Sequence, residues 1–225
     1  MKMNKKKVFV SALAVCLIAI LSMGSLAWFN SSKEITNNFL VATDEEGTPD
    51  FSVDVWEHEN DEDDEADADR DGSTSITHAG NTYADILPGD TLAKDPTVEN
   101  TGYYSQWIRV YVTFDEWSEI KKACEDQGIS ADLRTWLNVG SDWTAATDET
   151  KEVNNTIAYV YYYNDKLEKD ATATVFTEVS IPGEFEQADM EYVSGDFYIT
   201  IKAEALQADN TGDNAISAFA TYWGK

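Results

Sequence analysis

The sequence predicts a mainly β protein: an antiparallel β-sandwich with a short helical insertion and a short helix near the C-terminus. Three observations predict it: an alternating run from Trp107 to Phe114, further short apolar runs separated by turn residues, and helical spacing in only a few places. In the alternating run, four apolar residues share one face: Ile108, Val110, Val112 and Phe114. A period of two with one apolar face is typical of a strand that covers a core.

Turn residues organise the chain just before this strand. Pro88–Asp90 and Asn100–Gly102 have turn compositions, and they bound a short strand at Thr97–Glu99. We expect Thr97–Glu99 and the Trp107–Phe114 strand to be neighbours in the sandwich, joined by turn chemistry and not by a helix. The stretch Leu87–Phe114 contains no plausible nucleophile or set of metal ligands, so we interpret it as architecture.

Residues 1–27 have the composition of a secretory signal peptide. A lysine-rich head precedes the apolar run Val8–Leu21, and the small residues Ser25 and Ala27 stand at the −3 and −1 positions of a cleavage site before Trp28. The alternative is an uncleaved membrane anchor, because the apolar stretch counted through Phe29 reaches 22 residues, enough to cross a bilayer. We favour cleavage by a signal peptidase, so that the chain contacts a membrane only before processing.

The chain after the expected cleavage point, residues 28–225, is strongly acidic. Its 198 residues suit a single β-sandwich domain. Four lysines lie in the leader, which leaves 12 basic and 42 acidic residues and a formal charge of −30. Nucleic acid is excluded as an expected partner, because Lys and Arg supply the affinity for phosphate. The same charge favours solubility and opposes self-assembly through repulsion.

The segment at residues 28–43 admits two interpretations. Ile35, Phe39 and Val41 punctuate an otherwise polar sequence there. The segment is either an ordinary first strand or a strand that pairs with another molecule, since terminal strands are easily exchanged. Further along, the alternation of Phe51–Trp56 predicts the first strand of the core.

An acidic run next predicts a solvated loop over residues 57–74. Within it Asp67, Asp69 and Asp71 have the one-three-five spacing of a calcium loop, followed by Gly72 at the sixth position. His78 stands at the twelfth position, where a bidentate Glu is expected. A solvated loop with diffuse cation attraction is therefore preferred over an ordered calcium site, and no other cofactor is expected.

Residues 115–137 predict a helical insertion. Asp115 can cap a helix that ends at Gly128, and Ser130 can cap a second short helix. The inward residues of the two helices are then Trp117, Ile120, Cys124, Leu133, Trp136 and Leu137. Because Cys16 belongs to the leader, Cys124 has no partner for an internal disulfide. We expect a buried thiol, with a reactive or dimerising thiol as the alternative.

The remaining strands follow from the same alternation. They are expected at Ser75–His78, Tyr83–Ile86, Thr156–Tyr163, Thr174–Ile181 and Asp196–Leu206, with a terminal helix at Ala215–Trp223. In the last strand the inward residues are Phe197, Ile199, Ile201, Ala203 and Ala205. The tyrosines of Thr156–Tyr163 suit either stacking on carbohydrate or ordinary strand packing, and the second interpretation is preferred.

Four motifs of this chain resemble those of the TasA/camelysin family of secreted Bacillota proteins, which carry a SipW-dependent-type signal peptide. The resemblance lies in the leader end Gly24–Phe29, in Leu87–Asp95 and Val98–Gly102, and in Ala203–Asn210 near the C-terminus. These motifs lie at both ends and in the centre, so the resemblance covers the whole mature domain. The acidic loop and the helical insertion match less clearly.

The resemblance implies a jelly-roll sandwich over residues 44–225, processed by a dedicated signal peptidase, in a protein that builds extracellular or biofilm matrix fibres. In such fibres the freed N-terminal segment of one subunit completes the sheet of the next. Carried onto this sequence, the donor begins at Trp28 and includes Ile35, Phe39 and Val41. The partner is a second copy or a related matrix subunit, and the accepting strand is left open.

Two other functions compete with a matrix role. The camelysin resemblance also implies a metallopeptidase, but His58 and His78 are the two histidines of the chain, and a His-Glu-x-x-His zinc motif is missing from the sequence. We therefore do not expect an enzyme. A carbohydrate-binding or adhesin-like surface module rests on the aromatic strands and the sandwich.

Overall fold

The computed structural model describes residues 30–34, 51–59, 75–83, 86–186, 188–190 and 197–222. The chain divides into two compact units, residues 1–30 and 31–225, and the described residues after Asn30 belong to the second. Their strands are β1 (Asn30–Glu34), β2 (Asp54–His58), β3 (Ile76–Thr77), β4 (Thr91–Ala93), β5 (Thr97–Glu99), β6 (Gln106–Phe114), β7 (Trp143–Ala145), β8 (Lys151–Val153), β9 (Thr156–Tyr163), β10 (Thr172–Thr174), β11 (Glu178–Ser180) and β12 (Ile199–Gln207). Their α-helices of eight or more residues are α1 (Trp117–Gln127) and α2 (Ala215–Tyr222).

The largest sheet has the strand order β1-β12-β6-β9-β7, with β8 also paired to β9. Strands β12 and β6 are antiparallel along their full length, from Ile199 opposite Phe114 to Gln207 opposite Gln106. Strand β9 pairs with the other side of β6. The prediction of a mainly β, antiparallel protein is therefore confirmed.

A second sheet has the order β10-β5-β2-β3, and β11 pairs with β4 in a separate ribbon. The inward residues of the second sheet, including Val55 and Val98, share one hydrophobic core with Ile108 and Val110 of the large sheet. Antiparallel sheets around a common core are compatible with a jelly roll.

The prediction that Thr97–Glu99 neighbours the long strand was wrong. Strand β5 pairs with β2 and β10, whereas β6 belongs to the large sheet. The turn after Asn100 carries the chain from one sheet to the other. This arrangement lets Val98 and Ile108, both without exposed surface, enter the same core from opposite sides.

Other strand boundaries also differ from those expected. The first core strand occupies Asp54–His58 and not Phe51–Trp56. The run Thr174–Ile181 is divided between β10 and β11, because Val175 and Phe176 turn into the core between them. Tyr83 and Ile86 lie outside any strand. Strands at Ile76–Thr77, Thr156–Tyr163 and Ile199–Gln207 lie where the alternation predicted them.

The helical insertion is present, but its caps differ. Helix α1 begins after Glu116, whose backbone is left-handed at φ 48°, while the Asp115 carboxylate accepts a hydrogen bond from the Tyr198 amide. A 3₁₀ turn, Leu133–Trp136, replaces the second helix, and Asp132, not Ser130, caps it. As predicted, Gly128 ends α1 and the stripe with Trp117, Ile120 and Cys124 is buried.

Helix α2 covers part of the outer face of the large sheet. Its Phe219 has no exposed surface and packs against Tyr162, with ring centroids 5.8 Å apart. Helix α2 occupies the predicted position, and Ala215 and Ala218 on its inner side allow close approach to the sheet. In the part of the chain that the structure describes, no helix is long and apolar enough to cross a membrane.

Candidate functional site

The edge of the large sheet is formed by the strand that follows the expected cleavage point. Strand β1 pairs with β12 on the side opposite β6. Its sequence, Asn-Ser-Ser-Lys-Glu, contains no large apolar residue. Burial of a large apolar side chain contributes about 1.5–3 kcal/mol, a contribution that the sequence of β1 does not offer.

Strand β12 is by contrast anchored in the core. Ile201, Ala203 and Ala205 point inward without exposed surface, and the strand is paired with β6 over nine residues. If β1 leaves, β12 keeps its place and presents a row of unpaired N–H and C=O groups. Such an edge accepts an extended strand from another chain.

The predicted site residues lie elsewhere in the chain. Ala27 and Trp28 at the processing site, Ile35, Phe39 and Val41 of the donor segment, and the calcium candidates Asp67, Asp69 and Asp71 all fall outside the described residues. The structure does show that β1 pairs with β12, a pairing that the sequence did not predict. It does not test the calcium loop.

The stretch Leu87–Asp95, which resembles the TasA/camelysin family, is fixed by a turn hydrogen bond and by an ion pair to β2. The Asp90 carboxylate closes its turn by accepting from the Leu87 amide at 2.7 Å. The Lys94 ammonium donates to Glu57 at 2.7 Å, and both side chains are buried. Glu57 thus belongs to the core and not to the solvated acidic loop in which the sequence placed it.

Asn100 makes the turn between the sheets and has no exposed surface. Its side-chain amide donates to the carbonyls of Tyr104 and Leu167, both at 2.8 Å, and its oxygen accepts from the Gly102 amide at 2.9 Å. These three hydrogen bonds give both the amide nitrogen and the carbonyl oxygen of the buried side chain a partner. The interpretation of Asn100–Gly102 as architecture agrees with this geometry.

Both histidines lie near Trp56 on the outer side of the second sheet. His58 Nδ1 lies 2.6 Å from Asp95 Oδ2, and His78 Nε2 lies 3.0 Å from Asp54 Oδ2. The His58 backbone amide also donates to Asp95, which fixes that carboxylate. Among the described residues, no group of three or more His, Cys, Asp or Glu side chains is placed to hold a metal ion.

A buried ion pair lies beneath helix α2 on the outer face of the large sheet. Arg109 donates to Glu204 through Nε at 3.0 Å and Nη2 at 2.5 Å, and the Phe219 ring lies 4.4 Å from its guanidinium carbon. Tyr162 donates to Glu149 beside it. Neighbouring Tyr111 has a pKa raised to about 12, because burial and the Glu204 carboxylate disfavour its phenolate. The sequence showed only an alternating polar face here.

The tyrosines of β9 are packed inside the protein. Tyr159, Tyr161 and Tyr162 are each at most 3% exposed. Tyr159 accepts a hydrogen bond from the Leu133 amide, while the Tyr161 hydroxyl has no partner among the residues that the structure describes, and burial raises its pKa to about 12. These rings are not available for stacking on carbohydrate. The preferred interpretation of strand packing agrees with their burial.

Cys124 is buried, as the helical stripe predicted. It has no exposed surface, and burial raises the pKa of its thiol to about 11. A cleft of about 250 Å³ lies nearby between the helical insertion and the end of β11, with Trp136, Ile181 and Pro182 among its lining residues. Its polar lining residues are Ser130, Thr135, Ser180 and Glu184.

Comparisons with models of known protein families, with curated proteins and with solved structures find no match to this chain.

Proposed function

We propose that this protein is a secreted structural protein of the extracellular or biofilm matrix, which forms or assists fibres by exchanging its N-terminal strand between subunits. The observation that carries the proposal is the pairing of β1, the strand just after the expected cleavage point, with the core strand β12. The resemblance to the TasA/camelysin family, from the leader to Ala203–Asn210, supports it.

In this scheme β1 is held only weakly in the isolated subunit, and β12 is the strand that accepts the N-terminal segment of another subunit. The polar β1 leaves β12, and the N-terminal segment of a second copy or of a related subunit takes its place. The apolar Ile35, Phe39 and Val41 follow β1 directly in the sequence. Their burial in a subunit contact supplies free energy that the polar strand lacks. A dedicated signal peptidase makes assembly conditional on export.

The test compares the chain beginning at Trp28 with a chain lacking residues 28–41, using electron microscopy. We expect fibres from the first and none from the second. A synthetic peptide of residues 28–42 should bind the truncated chain at one to one and should not restore fibres, because the peptide supplies a donor without a sheet. Fibres formed by the truncated chain alone would contradict the proposal.

A matched pair of variants separates apolar burial from the mere presence of a segment. Substituting Ile35, Phe39 and Val41 by Asn should abolish fibres, because the donor loses its buried side chains. Substituting the adjacent polar residues Thr36, Asn37 and Asn38 by Ser changes as many positions and should leave fibres intact. Equal behaviour of the two variants contradicts a donor role for the apolar residues.

A carbohydrate-binding surface is the second candidate. The observation that favours it is an exposed aromatic pair at the turn between the sheets, where Tyr103 is 63% exposed and lies edge-on to Tyr104 with ring centroids 5.5 Å apart. Glycan-array binding that Tyr103→Ala abolishes would favour this function. Retention of all array binding in that variant removes the pair from consideration.

A further inference from the structure

Helix α2 covers the outer face of the large sheet only in part. Beneath its Phe219 ring lies the buried Arg109. Beyond it Tyr111 and Lys202, which are directly opposite each other on β6 and β12, are half-buried. This uncovered strip faces away from the second sheet, because the alternate residues of β6 enter the core.

Three cations from three strands surround the Tyr111 ring. The guanidinium carbon of Arg109 lies 5.2 Å from the ring centroid, the Lys151 ammonium 5.7 Å and the Lys202 ammonium 5.8 Å. Cations within about 6 Å of an aromatic centroid are attracted by the ring quadrupole. We call Tyr111, Lys151 and Lys202 the basic patch. Such convergence is unexpected in a chain with a formal charge of −26.

The carboxylates near the basic patch are already engaged. Glu204 accepts from Arg109 and lies 3.2 Å from Lys202, and Glu149 accepts from Tyr162. Lys151 is exposed, and its ammonium contacts the Tyr111 ring without a carboxylate partner among the described residues. Within the patch, the Lys151 ammonium therefore retains a positive charge that an added carboxylate can neutralise.

We propose that the basic patch binds the acidic run of a second copy of this chain. Residues 59–71 carry nine acidic side chains and one arginine, the opposite charge to the patch. The described residues on its two sides lie next to β2 and β3 of the second sheet, where the Glu59 amide donates to the Ser75 carbonyl. The patch lies on the outward side of the other sheet, so a second copy can present the run to it directly. This contact is separate from strand exchange and does not require it.

The test uses a fluorescent peptide of residues 59–71 as probe and the chain beginning at Trp28, which keeps every described strand, as receptor. Fluorescence anisotropy is measured at low ionic strength, about 20 mM, where screening is weak. We expect Lys151→Gln with Lys202→Gln to weaken peptide binding by about five- to tenfold. The control, Lys121→Gln with Lys122→Gln on exposed positions of α1, changes the net charge equally and should change binding less than about twofold. Circular dichroism and thermal unfolding check that both variants stay folded.

Three outcomes overturn the proposal. Undetectable peptide binding, or equal weakening in the two lysine variants, means that the patch does not recognise the run. The third concerns the chain's own run: if neutralising its acids to Asn and Gln raises the affinity for added peptide manyfold, the occupant is intramolecular and not a second copy. A chain lacking residues 28–41 should bind the peptide unchanged, so failure here is distinguishable from failure of strand exchange.

Discussion

At the scale of single residues, Asn100 holds the turn that connects the two sheets. We predict that Asn100→Ala lowers the free energy of unfolding by about 3 kcal/mol, because buried carbonyl and amide groups lose their partners. Urea unfolding of the chain beginning at Trp28 measures the loss.

Asn138 offers a matched control for Asn100. It also makes three side-chain hydrogen bonds, to Thr177 and Glu178, but it is exposed. Water can replace its hydrogen bonds, so Asn138→Ala should cost less than about 1 kcal/mol. Equal losses in the two variants would show that burial is not what makes Asn100 important.

The second prediction at this scale concerns the buried pair Arg109 and Glu204, whose side chains are 7% and 8% exposed. Removing one partner leaves a charge in a poorly solvated place, so Arg109→Met should cost about 3 kcal/mol. Arg109→Met together with Glu204→Leu should recover much of that loss, because neither charge is then buried alone. Equilibrium unfolding of these two variants and of Glu204→Leu alone gives the coupling energy.

The exposed pair Lys122 and Asp126 is the control for this cycle. Lys122→Met should change the free energy of unfolding by less than about 0.5 kcal/mol, since solvent screens an exposed pair. If Arg109→Met costs no more than Lys122→Met, the cluster beneath α2 does not stabilise the fold.

At the scale of elements, helix α1 depends on a glycine at its end. Gly128 has φ 67° and ψ 26°, and its amide donates to the last carbonyls of the helix. A Cβ there meets no atom within 4 Å, so only the left-handed backbone opposes substitution. We predict that Gly128→Ala costs about 1 kcal/mol and Gly128→Asn less, measured by thermal unfolding.

Gly140 is the natural comparison. Its backbone is not left-handed, and an added Cβ meets only ordinary van der Waals contacts. Gly140→Ala should therefore be neutral or slightly stabilising, since alanine lowers the entropy of the unfolded chain. A cost as large as that of Gly128→Ala would assign the effect to crowding and not to backbone conformation.

At the scale of the whole molecule, the thiol of Cys124 and the phenols of Tyr111 and Tyr161 predict that the folded protein loses stability in alkaline solution. Burial raises the pKa of Cys124 to about 11 from 9.0, and of Tyr111 and Tyr161 to about 12 from 10.0. The unfolded chain releases these protons first, so the stabilising contribution is complete below about pH 9 and is lost as pH rises to about 12. Urea unfolding between pH 8 and pH 11 should show the decline.

Tyr161→Phe separates the tyrosine contribution from other effects of base. The Tyr161 hydroxyl is buried with no hydrogen-bond partner in the described part of the chain, so its removal should not lower stability at pH 7. The variant should lose less stability than the parent between pH 8 and pH 11. An identical pH dependence in the two proteins contradicts a role for this phenol.

Charge also controls the rate of the proposed assembly. Like charges repel over about 8 Å at physiological salt, so added salt, divalent cations or acid should accelerate fibre formation by a chain of formal charge −30. Light scattering with NaCl and MgCl₂ at equal ionic strength follows the rate. The peptide contact at the basic patch has the opposite dependence, because screening weakens it. Rates unaffected by salt and acid would mean that repulsion is not the barrier.

Much of the fold was predictable because alternation reports a strand from local sequence alone. The inward residues of β6 and β12, and the burial of Cys124 on α1, followed from a period of two or of 3.6. The capping residues were harder to predict, because the side chains of Asp115 and Ser130 can bond other groups that the sequence does not show. The Asp115 carboxylate accepts from the distant Tyr198 amide, and Glu116 occupies the N-cap position of α1 without a side-chain cap.

By itself the sequence determined the mainly β class, the inner faces of β6 and β12, the terminal helix and the acidity of the chain. Only the tertiary structure decided which strands pair, that β12 carries β1, and that Glu57 and Arg109 are buried. The physical reason is that strand pairing and the burial of charge depend on residues far apart in the chain. Lys94 is 37 positions from Glu57 and Glu204 is 95 from Arg109, separations that no local pattern spans.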